Sequence, residues 1–276
     1  MSEQSVAQHY SHGALEEHIL GALAEIGVDP EHLEPDQLAP VDEFHIGGRA
    51  ATVALVDQMD LHAGLRVLDV GSGLGGTARY LAHHHGVTVT GIDLTEEYVQ
   101  VAGSLTRRAG LAEQVTFHQG SATALPFDDH SFDRACMLHV GMNIADKQAV
   151  FAEVVRVLTD DGTFGLYDVM RTGTVEPTYP VPWASTSATS FLGEPAHYRE
   201  LLSSAGLSVA LERDRSEFGV AFFRRLRAVI AESGPPALGL HILMGQDAAT
   251  KVANMIDNLE RGLIAPVEMI CQRSET

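Results

Sequence analysis

The sequence predicts an α/β fold in which a doubly wound, mostly parallel sheet of seven strands is flanked by helices. The chain has 276 residues, of which 45% are hydrophobic, and this is enough to bury the core of one large domain. From residue 66 onward, short apolar strand-like runs alternate with amphipathic helical segments. Such alternation indicates parallel strands joined by right-handed crossovers.

The segment before the first strand is expected to be helical. Apolar residues recur at helical spacing between Leu15 and Ile26. The Gly- and Pro-containing stretch 27–40 then breaks the pattern, and 49–61 is predicted to form a second helix that leads into the sheet.

The elements that follow alternate in type. Strands are predicted at 66–70, 87–93, 114–120, 132–138, 162–170, 207–214 and 265–273, and helices at 96–110, 146–158 and 196–206, with two more amphipathic helices inside 216–262. Residues 171–194 are too long and turn-rich for an ordinary connection, which favours a lid or a substrate wall. We therefore expect an N-terminal helical cap at 1–60 and a core at 61–276 that carries this insert and the helical segment 216–262.

The composition of the chain limits the kinds of partner that it is expected to bind. The net charge of −19 repels phosphate backbones and anionic lipid, so nucleic acid and membrane surfaces are not expected to bind. Cys136 and Cys271 are too few for a disulfide framework, and no signal peptide or membrane-spanning run is visible. A cytoplasmic location is predicted.

A glycine-rich turn follows the first strand. Gly71, Gly73 and Gly76 fit the GxGxxG pattern, which alone only weakly indicates a dinucleotide site, and no Gly-Lys-Ser/Thr of a Walker loop follows. The carboxylate of Asp69 favours a ligand with a cation and an amino group, and it disfavours a pyrophosphate, which is also negatively charged. Asp93 ends the next strand about twenty residues on, the separation at which an acid meets ribose hydroxyls.

Three motifs together carry a family resemblance. The stretch "FHQGSATALPFDDHSFDRACMLH" resembles the adenine-binding segment of class I S-adenosylmethionine-dependent methyltransferases, and it follows "LDVGSGLGG" and "GIDLT" in the order found in that family. The resemblance covers about residues 66–170. It implies a Rossmann-like methyltransferase fold that uses S-adenosyl-L-methionine, releases S-adenosyl-L-homocysteine and needs no metal.

The resemblance also implies which residues bind the cofactor. They are Asp69, Gly71, Ser72, Gly73, Gly75, Asp93, Leu94, Gly120, Ser121, Ala122 and Leu138. The glycines are expected beside the methionine portion, Asp93 at the ribose, and Ser121 and Ala122 at the adenine. Many relatives have Asp where this chain has Ser121, whose hydroxyl can still hydrogen-bond the adenine amino group. Asp69 could equally order the glycine turn.

The candidate catalytic residues are His139, His45 and Tyr10. His139 follows the fourth strand, where this fold commonly presents catalytic groups, and a neutral imidazole can accept a proton near its usual pKa of about 6.5. A cofactor contact for His139 and structural roles for the other two are the alternatives. The candidate acceptor-binding residues are Asn143, Trp183 and His241.

The acceptor is predicted to be a small molecule. The segments "DEFHIGG", "TARYLA" and "LH" are loosely similar to sarcosine/dimethylglycine and phosphoethanolamine N-methyltransferases, which favours an amine nitrogen. The alternatives are O- or C-methylation of a phenolic, polyketide or isoprenoid product, and a cofactor-binding cyclase that does not methylate. A nicotinamide reductase is disfavoured by Asp69 and the adenine segment.

Overall fold

The computed structural model describes residues 3–11 and 13–274. The helices are α1 (Glu3–Tyr10), α2 (Leu15–Glu25), α3 (Pro35–Asp42), α4 (Arg49–Val56), α5 (Gly76–His85), α6 (Glu96–Arg108), α7 (Lys147–Val157), α8 (Pro195–Ala205), α9 (Ser216–Ser233), α10 (His241–Met244) and α11 (Ala248–Glu260). The strands are β1 (Arg66–Val70), β2 (Thr88–Asp93), β3 (Val115–Gln119), β4 (Phe132–Leu138), β5 (Leu158–Arg171), β6 (Leu207–Asp214) and β7 (Ile264–Arg273).

Within the described residues, the seven strands form one sheet in the order β3-β2-β1-β4-β5-β7-β6. The first five strands run parallel, while β7 lies antiparallel between β5 and β6. The chain winds outward from β1 to β3 and then crosses to β4 on the other side of β1. Open α/β sheets bind ligands beyond the strand carboxyl ends at such a switch point. The predicted doubly wound, mostly parallel sheet is confirmed.

Helices cover both faces of the sheet because neighbouring residues of a strand point to opposite sides. On one face, Val67 of β1 lies in an apolar cluster with Leu55 of α4 and Leu81 of α5. On the other face, Leu68 of β1 lies in a cluster with Val154 of α7. β1 is buried on both sides, and its apolar residues Val67, Leu68 and Val70 are interrupted by Asp69 near its carboxyl end.

Two further apolar clusters hold the appended segments. In one, Ile19 of α2 and Leu38 of α3 pack with Leu105 of α6. In the other, Trp183 of the insert packs with Met255 of α11. The segments outside the sheet are thus anchored by their own apolar contacts.

The N-terminal segment contains helices that apolar periodicity does not predict. Helix α3 lies partly within the stretch 27–40 that the sequence indicates as a break. It begins with Pro35, and Glu34 and Gln37 form a reciprocal capping box. Local capping therefore defines this short helix. Helix α4 packs on the sheet although it falls within 1–60, and the division of the chain at residue 60 stays a prediction.

Three boundaries also differ from expectation by two residues or more. The helix predicted at 49–61 ends at Val56. β5 begins at Leu158, directly after α7, rather than at residue 162. α6 ends at Arg108, two residues before the predicted Gly110. No helix in the described ranges is long and apolar enough to cross a membrane.

Candidate cofactor and acceptor site

A cavity of about 1500 Å³ lies at the carboxyl ends of β1, β2 and β4. The glycine turn after β1 forms part of its wall. The rest comes from α1, α3, the segment 43–50, the chain after β2, β3 and β4, the insert 171–194 and the segment 222–256. Pockets for one drug-sized ligand measure about 300–1,000 Å³. This cavity therefore has room for two ligands side by side.

The turn after β1 requires glycine at two positions. Gly71 has a φ of +72°, and a Cβ atom there would lie 2.3 Å from Val140. Gly75 has a φ of +80°, and a Cβ atom there would lie 2.5 Å from Phe117. Both positions favour glycine by conformation and by space. Gly75 is not among the residues that line the cavity, and its expected place beside a cofactor stays a prediction.

The carboxylate of Asp93 ties the turn to the end of β2. Its Oδ2 accepts the backbone N–H of Gly73 at 2.9 Å, and its Oδ1 accepts the backbone N–H of Thr95 at 2.9 Å. Burial raises the pKa of Asp93 above its usual value, against the lowering effect of these bonds. Because carboxylate oxygens accept more than one hydrogen bond, Asp93 can also receive ligand hydroxyls from the cavity.

Asp69 brings an unsatisfied carboxylate oxygen to the cavity wall. The residue is 2% exposed, and its Oδ1 accepts the thiol of Cys136 at an Sγ–Oδ1 distance of 3.6 Å. Its Oδ2 and the hydroxyl of Ser72 are buried without a hydrogen-bond partner among the described residues. Burial raises the pKa of Asp69 to about 7. A ligand that carries an ammonium group would satisfy Oδ2, so these residues fit the predicted cofactor.

The wall beyond β3 includes Gly120, Ser121 and Ala122, the residues that are expected at the adenine. The hydroxyl of Ser121 donates to a carboxylate oxygen of Glu3, and Thr123 donates its backbone N–H to the Ser121 hydroxyl at 3.1 Å. α1 therefore lies against this part of the cavity. Leu94 and Leu138, at the ends of β2 and β4, also line the wall.

His139 lies in the cavity wall, but both of its ring nitrogens contact backbone groups. Nε2 accepts the backbone N–H of Ile46 at 3.2 Å, and Nδ1 lies 3.3 Å from the carbonyl oxygen of Tyr167. This pairing places the proton on Nδ1. Burial lowers the pKa of His139 well below 6.5. With its Nε2 lone pair engaged, the ring has no free acceptor for a substrate proton in this arrangement.

His45 has one ring nitrogen engaged and one without a partner. Its Nε2 lies 3.1 Å from the carbonyl oxygen of Gly48 and 3.3 Å from Oε2 of Glu43. Nδ1 makes no hydrogen bond to any residue that the structure describes, and the side chain lines the cavity. The carbonyl fixes the proton on Nε2, so Nδ1 keeps its lone pair. Burial lowers the pKa of His45 to about 4.

Glu43 holds His45 through a buried network that the motif "DEFHIGG" did not reveal. Arg49 donates Nε–H to Glu43 Oε1 at 2.5 Å, and the hydroxyl of Thr52 donates to Glu43 Oε2 at 2.6 Å. The Glu43 side chain has no exposed area. The carboxylate is therefore fixed beside the His45 ring.

Tyr10 and Asn143 meet at the cavity wall. The phenol of Tyr10 donates to Asn143 Oδ1 at 3.0 Å, and burial raises the pKa of Tyr10. His9 of the same helix lies 3.1 Å, through Nε2, from the carbonyl oxygen of Pro182. Helix α1 thereby contacts the loop after β4 and the insert. Tyr10 is a neutral hydrogen-bond donor in this position.

Trp183 and His241 line the cavity from the appended segments. Trp183 is 4% exposed and donates its indole N–H to the hydroxyl of Ser190 at 2.9 Å. His241 lies at the exposed end of the wall, at the start of α10. In residues 3–11 and 13–274, no group of three or more His, Cys, Asp or Glu side chains could hold a metal ion.

Comparison with known proteins agrees with this geometry. Residues 68–166 match the methyltransferase domain family. The chain is 31% identical over 187 residues to the methyltransferase GfsG of Streptomyces halstedii, which spans 67% of this chain and 66% of that protein. It is 29% identical over 191 residues to the glycine/sarcosine/dimethylglycine N-methyltransferase of Actinopolyspora halophila, which spans 69% of this chain and 34% of that protein.

The fold is also found among solved structures. The crystal structure of the cyclase SpnF superposes with a TM-score of 0.72 at 22% identity, covering 100% of this chain and 98% of that one. This likeness confirms the predicted Rossmann-like architecture. The chain spans less than the full length of the two sequence relatives, about two thirds of the first and one third of the second.

Proposed function

Since this chain belongs to the S-adenosylmethionine-dependent methyltransferases, we propose that it methylates a hydroxyl group of an extended, mostly apolar small molecule. The observation that carries this proposal is the wall of the cavity opposite the glycine turn. A cytoplasmic location stays a prediction.

That wall is apolar. The residues of 171–194 and 216–262 that line it are Pro182, Trp183, Phe191, Phe222, Phe223, Leu226, Arg227, Ile230, Pro235, Pro236, Leu238, Gly239, Leu240, His241, Leu243, Met244, Ala248, Ala249, Val252, Ala253, Met255 and Ile256. No carboxylate occurs among these described residues. Apolar walls with few polar groups bind apolar ligands through area removed from water.

The same wall argues against a small amine acceptor, the class that the sequence favours. A cationic amine product needs a counter-charge or an aromatic cage, and the aromatic residues of this wall, Trp183 and three phenylalanines, share it with Arg227. The acidic residues in the rest of the wall already have partners: Asp36 and Glu43 pair with Arg49, Asp42 pairs with Arg79, Asp146 caps α7, and Glu3 accepts the hydroxyl of Ser121. Asp69 and Asp93 belong to the glycine-turn end. The charged side chain of the appended wall is Arg227, which would repel a cation.

The glycine-turn end would hold the cofactor. S-adenosylmethionine, when bound, supplies a sulfonium methyl group that an oxygen nucleophile can attack in line. Asp69 would bind its ammonium group, Asp93 its ribose hydroxyls, and the wall at Gly120–Ala122 would border the adenine. Fixing both ligands in one dry cavity supplies alignment and desolvation, the main requirements of such a displacement.

His45 would accept the proton of the acceptor hydroxyl. Its Nδ1 carries the free lone pair, while Nε2 stays protonated against the carbonyl of Gly48. The Glu43 carboxylate, 3.3 Å from Nε2, would stabilise the positive ring that forms when Nδ1 takes the proton. The ring centroids of His139 and His45 lie 5.8 Å apart. His139 would help to position the His45 ring and would not itself transfer a proton.

A methyl-transfer assay tests the proposal. The protein is incubated with methyl-labelled S-adenosylmethionine and a panel of long-chain alcohols, isoprenoid alcohols, phenols and small amines such as sarcosine. We expect labelled ether products and S-adenosylhomocysteine from an extended apolar alcohol, and none from the amines. Turnover of an amine would overturn the acceptor class. Silence across the panel, with cofactor binding verified by calorimetry, would favour a protein that binds the cofactor without methylating.

A further inference from the structure

The N-terminal helix places a carboxylate at the β3 end of the cavity. Oε1 of Glu3 accepts the hydroxyl of Ser121 and lies 3.4 Å from the hydroxyl of Thr123. Oε2 of Glu3 makes no hydrogen bond within the part of the chain that the structure describes, and Glu3 lines the cavity. One oxygen is thus anchored to the wall while the other is free to accept a hydrogen bond from a ligand.

The order of the strands fixes which part of the cofactor reaches this carboxylate. The switch point lies between β1 and β4, and β2 and β3 follow outward from β1. Asp69 at β1 suits the ammonium end, and Asp93 at the end of β2 suits the ribose. An extended ligand laid along this edge therefore brings its adenine to the end of β3, where Ser121 and Glu3 meet.

We propose that Glu3 accepts a hydrogen bond from the exocyclic amino group of the adenine and so selects adenosine over nucleosides with a carbonyl at that position. The inference rests on the proposed function, because it concerns the same cofactor. The amino group is a hydrogen-bond donor, and Ser121 already donates its hydroxyl hydrogen to Glu3. The carboxylate of Glu3 supplies the strong acceptor that a serine alone does not.

This role links cofactor binding to the acceptor wall. Glu3 lies at the start of α1, and Tyr10 at its end contacts Asn143 at 3.0 Å. A cofactor that engages Glu3 therefore holds α1 over the cavity. The helix that recognises the adenine also forms part of the wall that the acceptor meets.

Replacement of Glu3 by glutamine tests the proposal by a change of specificity. A carboxylate accepts only, whereas an amide can also donate to the carbonyl oxygen of hypoxanthine. Affinities of the full-length protein for S-adenosylhomocysteine and S-inosylhomocysteine are measured by calorimetry. We expect Glu3→Gln to weaken S-adenosylhomocysteine by about fivefold to tenfold, the loss expected for one charge-assisted hydrogen bond at a partly open site. Binding of S-inosylhomocysteine should strengthen.

Two further variants separate recognition from a structural role. Glu17→Gln, on the exposed face of α2, is the matched control and should leave both affinities unchanged. Ser121→Asp combined with Glu3→Gln returns a carboxylate to the same wall and should restore S-adenosylhomocysteine binding. Equal weakening of both ligands by Glu3→Gln, or no change in either, would overturn the inference while leaving the proposed function standing. Failure of the unaltered protein to bind S-adenosylhomocysteine would instead refute the proposed function.

Discussion

The imidazole Nε2 of His139 accepts the backbone N–H of Ile46 at 3.2 Å. This bond joins the end of β4 to the segment that carries His45, and the backbone N–H of His139 donates in turn to the carbonyl oxygen of Tyr167 at 2.7 Å. His139 also has a φ of +56°, which is uncommon for a residue other than glycine. His139 thus links the end of β4 to β5 and to the segment that carries His45.

Removal of the His139 ring should therefore reduce stability in the absence of any ligand. His139→Ala leaves a buried N–H without an acceptor, and we expect a loss of about 1–3 kcal/mol in the free energy of unfolding. His139→Asn should lose less, because asparagine tolerates a positive φ and its amide oxygen can accept a hydrogen bond. Urea denaturation of both variants measures the difference. Equal stability of His139→Ala and the unaltered protein would contradict this structural role of His139.

The candidate cofactor half of the site could be predicted because its residues are local in sequence. The turn after β1 and Asp93 at the end of β2 lie within one β-α-β unit, where the glycine and carboxylate requirements can be read from spacing. The contact of Ser121 with Glu3 joins residues 118 positions apart, and no periodic pattern reports such a pair. The proton positions on His45 and His139 likewise depend on which carbonyls and N–H groups fold against the rings.

Asp93 should be essential for cofactor affinity. Asp93→Ala removes the acceptor of the Gly73 N–H as well as the expected ribose contact, so both the turn and the ligand lose a partner. We expect the affinity for S-adenosylhomocysteine to fall by at least about tenfold, or 1.4 kcal/mol. Asp93→Asn retains one carbonyl oxygen and should lie between the two. Calorimetric titration that shows unchanged binding by Asp93→Ala would refute the assignment.

Cofactor affinity should depend on pH through Asp69. With its pKa raised to about 7, this group is protonated and uncharged below that pH in the free protein. A bound ammonium group favours the ionised form, so affinity for S-adenosylhomocysteine should increase as the pH rises towards about 7 and level off above it, by up to about tenfold per pH unit. Proton release on binding, measured by calorimetry in buffers of different ionisation enthalpy, gives an independent check.

The stability of the free protein should respond to Asp69 in the opposite sense. The folded pKa lies above the usual value of 3.8, so folding takes up a proton and the contribution of this group is lost as the pH rises from about 4 to 7. Asp69→Asn should flatten both this loss and the pH dependence of cofactor affinity. A variant that keeps the unaltered pH profile would show that another group is responsible.

Removal of one partner of the Arg79–Asp42 ion pair should destabilise the protein more than removal of both. Nη2 of Arg79 donates to Oδ2 of Asp42 at 2.6 Å, and neither side chain has exposed area. Arg79→Met leaves a buried, unpaired carboxylate, so we expect a loss of about 3–5 kcal/mol in the free energy of unfolding. The double variant Arg79→Met with Asp42→Asn should lose less. Equal losses in the single and double variants, measured by urea denaturation, would argue against the pairing.

His45 should control turnover without controlling cofactor affinity. His45→Ala removes the proposed proton acceptor, and we expect kcat to fall by about 10²–10⁴-fold with the acceptor identified by the assay above. S-adenosylhomocysteine affinity should stay within about twofold, since no cofactor contact is lost. Glu43→Gln should lower kcat less, because the amide still occupies the position beside Nε2 but no longer stabilises the charged ring.

The pH profile of kcat provides the second test of His45. Because burial lowers the pKa of this ring to about 4, Nδ1 remains free of a proton from about pH 5 upward, and kcat should stay flat from there to about pH 8. Cofactor affinity, governed by Asp69, should change within the same range. A kcat that falls below about pH 7 at saturating cofactor would place the essential base on a group with a higher pKa. Parallel losses of kcat and cofactor affinity in His45→Ala would show instead that the ring shapes the cofactor site.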